Sequence, residues 1–295
     1  LPVQTLAGQG WRCRVVITYK PHTKILLYVL LSVIALVTLF PLLWAVSASL
    51  RTDKELFQYT VPFTIHTLFP VEPTFDSYVQ LFTQFNFLTP MINTLVLIVI
   101  LIPLGCLINS IAAFAFATFD FRFKGVLYAV VLASFMIPFE AIAMPLYNVV
   151  DGMGMVDTRL GLILPAIASG LVLFLFTQFF KDIPPSLIEA GRIDGANLAQ
   201  IFFRIILPSS IPVFITAGLM IFMDQWNAYL WPLLVARSKN VQTIQIALSS
   251  FKMERQTLWS CMYAGTMVSA LIPLSLFLPF QKYFVQGVIS SGVKG

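Results

Sequence analysis

The sequence is poor in charge: Asp, Glu, Lys and Arg make up 11% of its 295 residues, against roughly 25% in an ordinary soluble domain. With 58% hydrophobic residues beside that deficit, a wholly water-soluble fold is excluded and most of the chain belongs in lipid. Cysteine is scarce too. Cys13, Cys106 and Cys261 show no CxxC or Cys/His ligand spacing, which argues against a disulfide framework or a zinc site. Cys106 lies in an apolar run and reads as a small hydrophobe. The two histidines, His22 and His66, are far apart in sequence and read as polar-surface residues. The chain lacks the GxxxxGK[ST] phosphate loop, so it has no means of binding ATP itself. It also lacks HExxH and any His/Cys/Asp triad candidate at a common depth, so no enzymatic site stands out. No nucleic-acid partner is indicated, because the mild basic excess is accounted for by loops.

What is present is a succession of long apolar runs, each near the roughly 20 residues that a membrane span requires. Six spans are expected, near 25–49, 89–118, 125–148, 160–180, 208–235 and 262–284. Prolines 41, 103, 138, 145, 212 and 273 fall inside them, where neighbouring helices can satisfy the freed carbonyls. The first run is too long for the core of a signal peptide and no small-residue cleavage site follows, so an uncleaved first span is expected. With both ends cytoplasmic, the inner segments carry about 11 Lys/Arg and 4 Asp/Glu and the outer ones about 7 of each, the bias of an ends-in topology. The domain reading is a cytoplasmic tail over 1–24, a six-span unit over 25–285 containing a cytoplasmic loop at 181–208, and a cytoplasmic tail over 286–295. The outer segments 51–88 and 236–261 are too short for independent domains. No internal repeat is visible, which weakens an inverted-repeat secondary transporter.

The loop KDIPPSLIEAGRIDGANLAQIFFRIILP, 181–208, carries most of the local information. Ser186 and Glu189 have capping-box spacing just after Pro184 and Pro185. Asp194-Gly195 supplies turn chemistry. Asn197 and Gln200 repeat the cap-plus-three spacing and open a second helix expected to run into Pro208 and span five. On helical physics alone the loop could equally lie on the membrane surface.

This string resembles the EAA motif of binding-protein-dependent ABC importer permeases. Glu189, Ala190, Gly195, Ile205, Leu207 and Pro208 fall in register with it, and Gly191 replaces its second alanine, a small-for-small change. The segment WNAYLWPLL at 226–234 resembles the carbohydrate-uptake branch, with its maltose-type and glycerol-3-phosphate-type permeases. The ending Ser291-Gly292-Val293-Lys294-Gly295 is similar to that of the maltose-type second permease, whose tail reaches toward the ATPase. The resemblance implies an all-α transmembrane fold, a six-helix ABC importer permease (MetI-like, type I) with a cytoplasmic coupling helix. It implies a bacterial inner-membrane location and three kinds of protein partner besides membrane lipid: a second permease, a dimer of ATP-binding subunits and an extracytoplasmic solute-binding protein. ATP and Mg would sit on the ATPase, with no cofactor on this chain. The residues it assigns to ATPase coupling are Glu189, Ala190, Gly191, Asp194, Gly195, Ala196, Leu207 and Pro208.

Polar residues inside spans are costly, about 2.5–3.5 kcal/mol for an acid at a helix centre, and should face the bundle or water. Glu140 and Asp224 are the acids, with Asp224 expected near the midplane and Asn227 and Trp231 on its face at i+3 and i+7. Gln225, Trp226 and Tyr229 lie close by, a mixture of hydrogen-bonding edges and aromatic faces that suits a sugar. Asp224, Asn227, Gln225, Trp226, Glu140 and Asn93 are therefore pathway candidates; the alternative is that they hold helices together. A stand-alone ion-coupled secondary transporter or channel is the rival function, with Glu140 and Asp224 as its proton or cation sites.

Overall fold

The computed structural model describes residues 20–59, 64–252 and 257–292, with side chains to Pro279. The expected N-terminal tail therefore lies largely outside the described residues, as does Cys13, and the ending is described only through Gly292.

Among the described residues the secondary structure is helical apart from one isolated bridge between Lys252 and Thr257. Four segments are long and apolar enough to cross a membrane: Pro21–Ser49, Leu88–Thr118, Arg159–Lys181 and Trp259–Pro279. Two helix pairs, each bent by more than 40°, bring the number to six when each pair is counted as one span. This is a multi-pass membrane protein.

Helix α1 (Pro21–Ser49) is apolar all round and exposed along most of its length, with only Ser47, Ala48 and Ser49 buried. Three short helices follow: α2 (Asp53–Gln58), α3 (Ile65–Leu68) and α4 (Asp76–Thr83). Thr52 caps α2 by accepting from the Glu55 amide at 3.3 Å. Asp53 takes the amide and hydroxyl of Ser260 at 2.7 and 2.6 Å, and so caps the start of the last helix. His22 and His66 are both exposed.

Helix α5 (Leu88–Thr118) is the central post, with Leu97, Leu101, Gly105, Asn109 and Ala113 buried along one face. The expected third span is not one helix. It is α6 (Lys124–Met136) and α7 (Phe139–Gly152), bent by 102°. The cause is Pro138, which holds Ile137 out of the helical region at ψ 124°. The fourth span is also divided, into α8 (Arg159–Ile167) and α9 (Gly170–Lys181). Asn109, 2% exposed, bridges that break. Its amide donates to Gly105 O at 2.7 Å and Ile167 O at 2.9 Å, and its Oδ1 accepts from Ser169 N at 3.0 Å.

Helices α10 (Pro185–Ile193) and α11 (Leu198–Ile201) form the 181–208 loop. A π-helical stretch, Phe202–Ile206, then leads into the short α12 (Leu207–Ser209). Leu207 N–H reaches back to Phe202 O, and Pro208 offers no N–H at all, so the regular ladder gives way here. The chain next bends by 82° at Ser210. The second loop helix thus does not run straight into span five, which is α13 (Ile211–Asn227) followed after a break by α14 (Leu230–Val235). Helix α15 (Ile244–Ser249) and the long α16 (Trp259–Gly292) complete the chain, α16 continuing past residue 285.

Candidate functional site

Two regions hold the expected functional residues. The first is the two-helix loop. Pro184 occupies the cap position of α10 and Pro185 its first turn, so Ser186 already lies inside the helix and makes no cap bond. The expected Ser186/Glu189 capping box is therefore absent: a proline at the first helical position removes one of the orphan donors that the box would serve. The second box is present. Asn197 Oδ1 accepts from Gln200 N and Gln200 Oε1 from Asn197 N, both at 2.9 Å.

Between these helices Gly195 sits at φ +76°, the left-handed region. Gly195 N–H donates to Arg192 O at 3.0 Å and Ala196 N–H to Gly191 O at 2.9 Å. These two bonds close a Schellman turn, the usual way of satisfying terminal helix carbonyls. Gly191 is buried, and a Cβ there would lie 2.8 Å from Ile205 Cδ1 and 3.4 Å from Ile201 Cγ1. Its small size lets α10 lie close against the π segment.

The candidates divide by face. Glu189, Ala190, Asp194, Gly195 and Pro208 are exposed, Ala196 and Leu207 are half-buried, and Gly191 is buried. Ile193, which the sequence reading passed over, is 85% exposed at the end of α10. Its signal in the sequence was an isoleucine out of phase with the buried Gly191 side of a short helix. The loop is tied to the bundle by aromatic rings. Phe202 lies 5.5 Å from Phe114 of α5, Phe114 6.5 Å from Phe180 of α9, and Phe176 4.7 Å from Phe214 of α13. The loop is thereby packed against the spans through close ring contacts.

The second region is the far end of α13. Asp224 occupies the last turn of α13, a helix about 25 Å long, just before the break to α14, and is exposed. Asp224 Oδ2 accepts from Gln225 Nε2 at 2.9 Å. The helix ends at Asn227, so Trp231 does not continue its face. Instead Trp231 is buried and donates its Nε1–H to Gly161 O at 3.1 Å. Trp226 is 2% exposed and stacks on Phe222 at 5.6 Å. Asn93 is buried, its Nδ2 donating to Asn240 O at 2.8 Å and Gln242 O at 3.1 Å. Its Oδ1 accepts from Arg159 at 3.3 Å. Asn93 thus fastens a loop to two spans. Glu140 is exposed in the first turn of α7, well placed for the helix dipole.

A groove of about 640 Å³ opens beside Asn227, between the end of α13, α15 and α16. Trp226, Leu248, Met262 and Pro273 give it an apolar floor, and Asn227, Tyr229, Gln245, Ser249, Thr266 and Ser269 supply polar groups. The sequence reading had Trp226, Asn227 and Tyr229 but missed the rest. Their signal was a polar face at helical spacing in an apolar span: Thr266 and Ser269 at i and i+3, opposite Gln245 and Ser249 at i, i+4.

Two charged groups outside the spans are held by their surroundings. The Ser238 amide donates to Asp157 Oδ1 at 2.8 Å, and this bond keeps the Asp157 carboxyl below its ordinary pKa. Arg51 is buried, donates to Ser47 Oγ at 3.0 Å and lies 4.0 Å from Glu55. Burial lowers its pKa and the Glu55 charge opposes that shift.

Comparison with known proteins agrees with this geometry. Residues 102–290 match the family of binding-protein-dependent transport system inner membrane components. An arabinooligosaccharides transport system permease protein of Bacillus subtilis is 32% identical over 273 residues, covering 92% of this chain and 96% of that protein. A lactose transport system permease protein of Rhizobium radiobacter is 30% identical, over 90% of this chain and 94% of that one. An sn-glycerol-3-phosphate transport system permease protein of Pectobacterium atrosepticum is also 30% identical, covering 90% and 95%. In fold, the chain matches a crystal structure of a bacterial ABC transporter involved in import of the acidic polysaccharide alginate, with a TM-score of 0.78 at 24% identity over 90% of this chain and 99% of that one. Family match, near-full-length relatives and shared architecture converge: the chain belongs to the binding-protein-dependent transport system inner membrane components.

Proposed function

We propose that this chain is one of two permease subunits of an ATP-driven importer in a bacterial cytoplasmic membrane. It forms half of the pathway for a carbohydrate or a related polyol or glycerol-phosphate solute. The observation that carries the coupling part of this reading is the two-helix loop, closed by the Gly195 turn and the Asn197/Gln200 box and packed through Phe202 onto Phe114. Such an element offers a separate subunit a shaped surface bearing Glu189, Ala190, Asp194 and Ile193, while its buried side grips the spans. The names of the relatives support the solute class.

In this mechanism an extracytoplasmic binding protein delivers the solute. ATP and Mg on the paired ATPase subunits close that dimer, and the closure pulls on the loop. The loop moves spans two, four and five through the phenylalanine cluster, and the cavity between the two permeases turns outward to take the solute. The loop lies on the cytoplasmic side and both termini with it, as the distribution of basic residues suggests. The terminal segments 1–24 and 286–295 act as tails to the six-span unit.

The test is affinity purification of the full chain in mild detergent. An ATP-binding subunit should co-purify from wild type and be lost or greatly reduced with Glu189→Lys. Failure to recover such a subunit from wild type would refute the reading.

A further inference from the structure

The groove at the end of α13 has a chemical character that distinguishes among solutes. Among the described residues, none that lines it is charged. The charge beside it on α13, one turn before Asn227, is the exposed carboxylate of Asp224. An anionic solute leaving water for a partly apolar groove needs cationic partners, commonly Arg or Lys for phosphate and carboxylate. Among the described residues, this groove supplies none.

Its polar groups are also oriented. Ser249 donates its hydroxyl proton to Ile246 O at 2.8 Å, and Thr266 donates its own to Met262 O at 2.7 Å. Asn227 uses an amide N–H on Met223 O at 2.7 Å, and Gln245 uses one on Trp226 O at 2.9 Å. Those bonds turn the Ser249, Thr266, Asn227 and Gln245 oxygen lone pairs outward as acceptors, and leave one N–H on each amide and the hydroxyls of Tyr229 and Ser269 as neutral donors. Phosphates and carboxylates at neutral pH are acceptors and meet those lone pairs unfavourably, whereas sugar hydroxyls donate as well as accept. Tyr229, 44% exposed, adds an aromatic face of the kind on which an apolar sugar ring face can rest.

We infer that this groove is a low-affinity passage site for a neutral polyhydroxylated solute, a glycan or polyol without phosphate or uronate groups. This rests on the proposed function and narrows its solute class.

The test uses the full chain with its co-purified subunits in lipid nanodiscs, read by saturation-transfer NMR. The probes are neutral trisaccharides (maltotriose and arabinotriose), sn-glycerol-3-phosphate and glucuronate at millimolar concentration. Saturation transfer is expected to the neutral sugars and not to the anions. Thr266→Val or Asn227→Leu should weaken the neutral signal about five-fold, the loss of one neutral hydrogen bond. Asn227→Lys should recruit the anions. Equal wild-type binding of either anion would overturn the neutral-solute inference while leaving the transporter reading in place. So would the absence of signal from every neutral probe, or signals insensitive to all three variants. Loss of co-purifying subunits in the groove variants would mark the groove as a subunit contact and overturn its role as a passage. Failure of the proposed function itself is distinguishable, because wild type would then bring down no ATP-binding subunit at all.

Discussion

Replacing Gly195 tests the coupling loop with little steric ambiguity. The residue holds φ +76°, and a Cβ there would meet nothing within 4 Å. The cost of a side chain is therefore conformational. An L-residue in the left-handed region is disfavoured by about 1–2 kcal/mol, less for Asn and more for a β-branched residue. The loop can escape by abandoning the turn, at the loss of the 3.0 Å and 2.9 Å bonds to Arg192 and Gly191, each worth about 0.5–1.5 kcal/mol net. Both routes cost about the same, so the population of the ordered turn should fall roughly 5- to 30-fold relative to competing loop shapes. Global stability is a poor readout, because losing a glycine also restricts the unfolded chain, an opposing effect of about 0.4–1 kcal/mol. The informative assay is the affinity of the purified chain for its ATP-binding subunit, together with ATP hydrolysed per solute taken up. Both should worsen in the order Gly, Asn, Ala, Val, with membrane insertion unchanged. A Gly195→Val chain that docks and couples like wild type would refute the reasoning.

Two further outcomes follow from named contacts. Asn109→Leu removes three hydrogen bonds at the break in span four and should lower stability by about 2–4 kcal/mol, measured by denaturant titration in detergent; a change within error would mean the break is held by other contacts. The Asp157 pKa is depressed in the folded state, so its contribution is present above the unfolded value near 3.9 and is lost as pH falls through the lower folded value. Exchange protection of the Ser238 amide, corrected for intrinsic rate, should therefore hold at neutral pH, fade in strong acid and be missing at every pH in Asp157→Ala. Protection that survives in that variant would assign the loop's order elsewhere.

The number and rough places of the spans were legible in the sequence because hydropathy over some twenty residues reports burial in lipid directly. Where spans break was not. Pro41 and Pro103 remain inside continuous helices, while Pro138 accompanies a 102° bend. What differs is the backbone of the preceding residue, which hydropathy does not record. The second capping box was legible from Asn197 and Gln200, since a cap is a local event; the same logic failed at Ser186 because Pro184 and Pro185 had already fixed the helix start. The polar span residues were the least legible. Asn93 and Trp231 carry the same letters that a binding site would use, yet one fastens Asn240 and Gln242 and the other caps Gly161 O. Only three-dimensional partners separate these roles. The groove needed α15 and α16 brought against α13, a long-range contact that no local pattern announces.

The placement of α1 sets the order in which this molecule is built. Its packing partner in the bundle is α16, and the end of α1 at Ser49 precedes the start of α16 at Trp259 by about 210 residues. At roughly 5–20 residues per second, α1 waits on the order of 10–40 s for α16 to begin. During that wait its long apolar surface keeps it stable in lipid, and the buried Ser47 and Ser49 at its end find partners in Arg51 and Tyr78, which follow soon after in the chain. Docking of α1 against α16 thus comes late in synthesis, long after α1 itself has entered the membrane. Nascent chains that stop short of α16 leave α1 in the membrane without that packing partner.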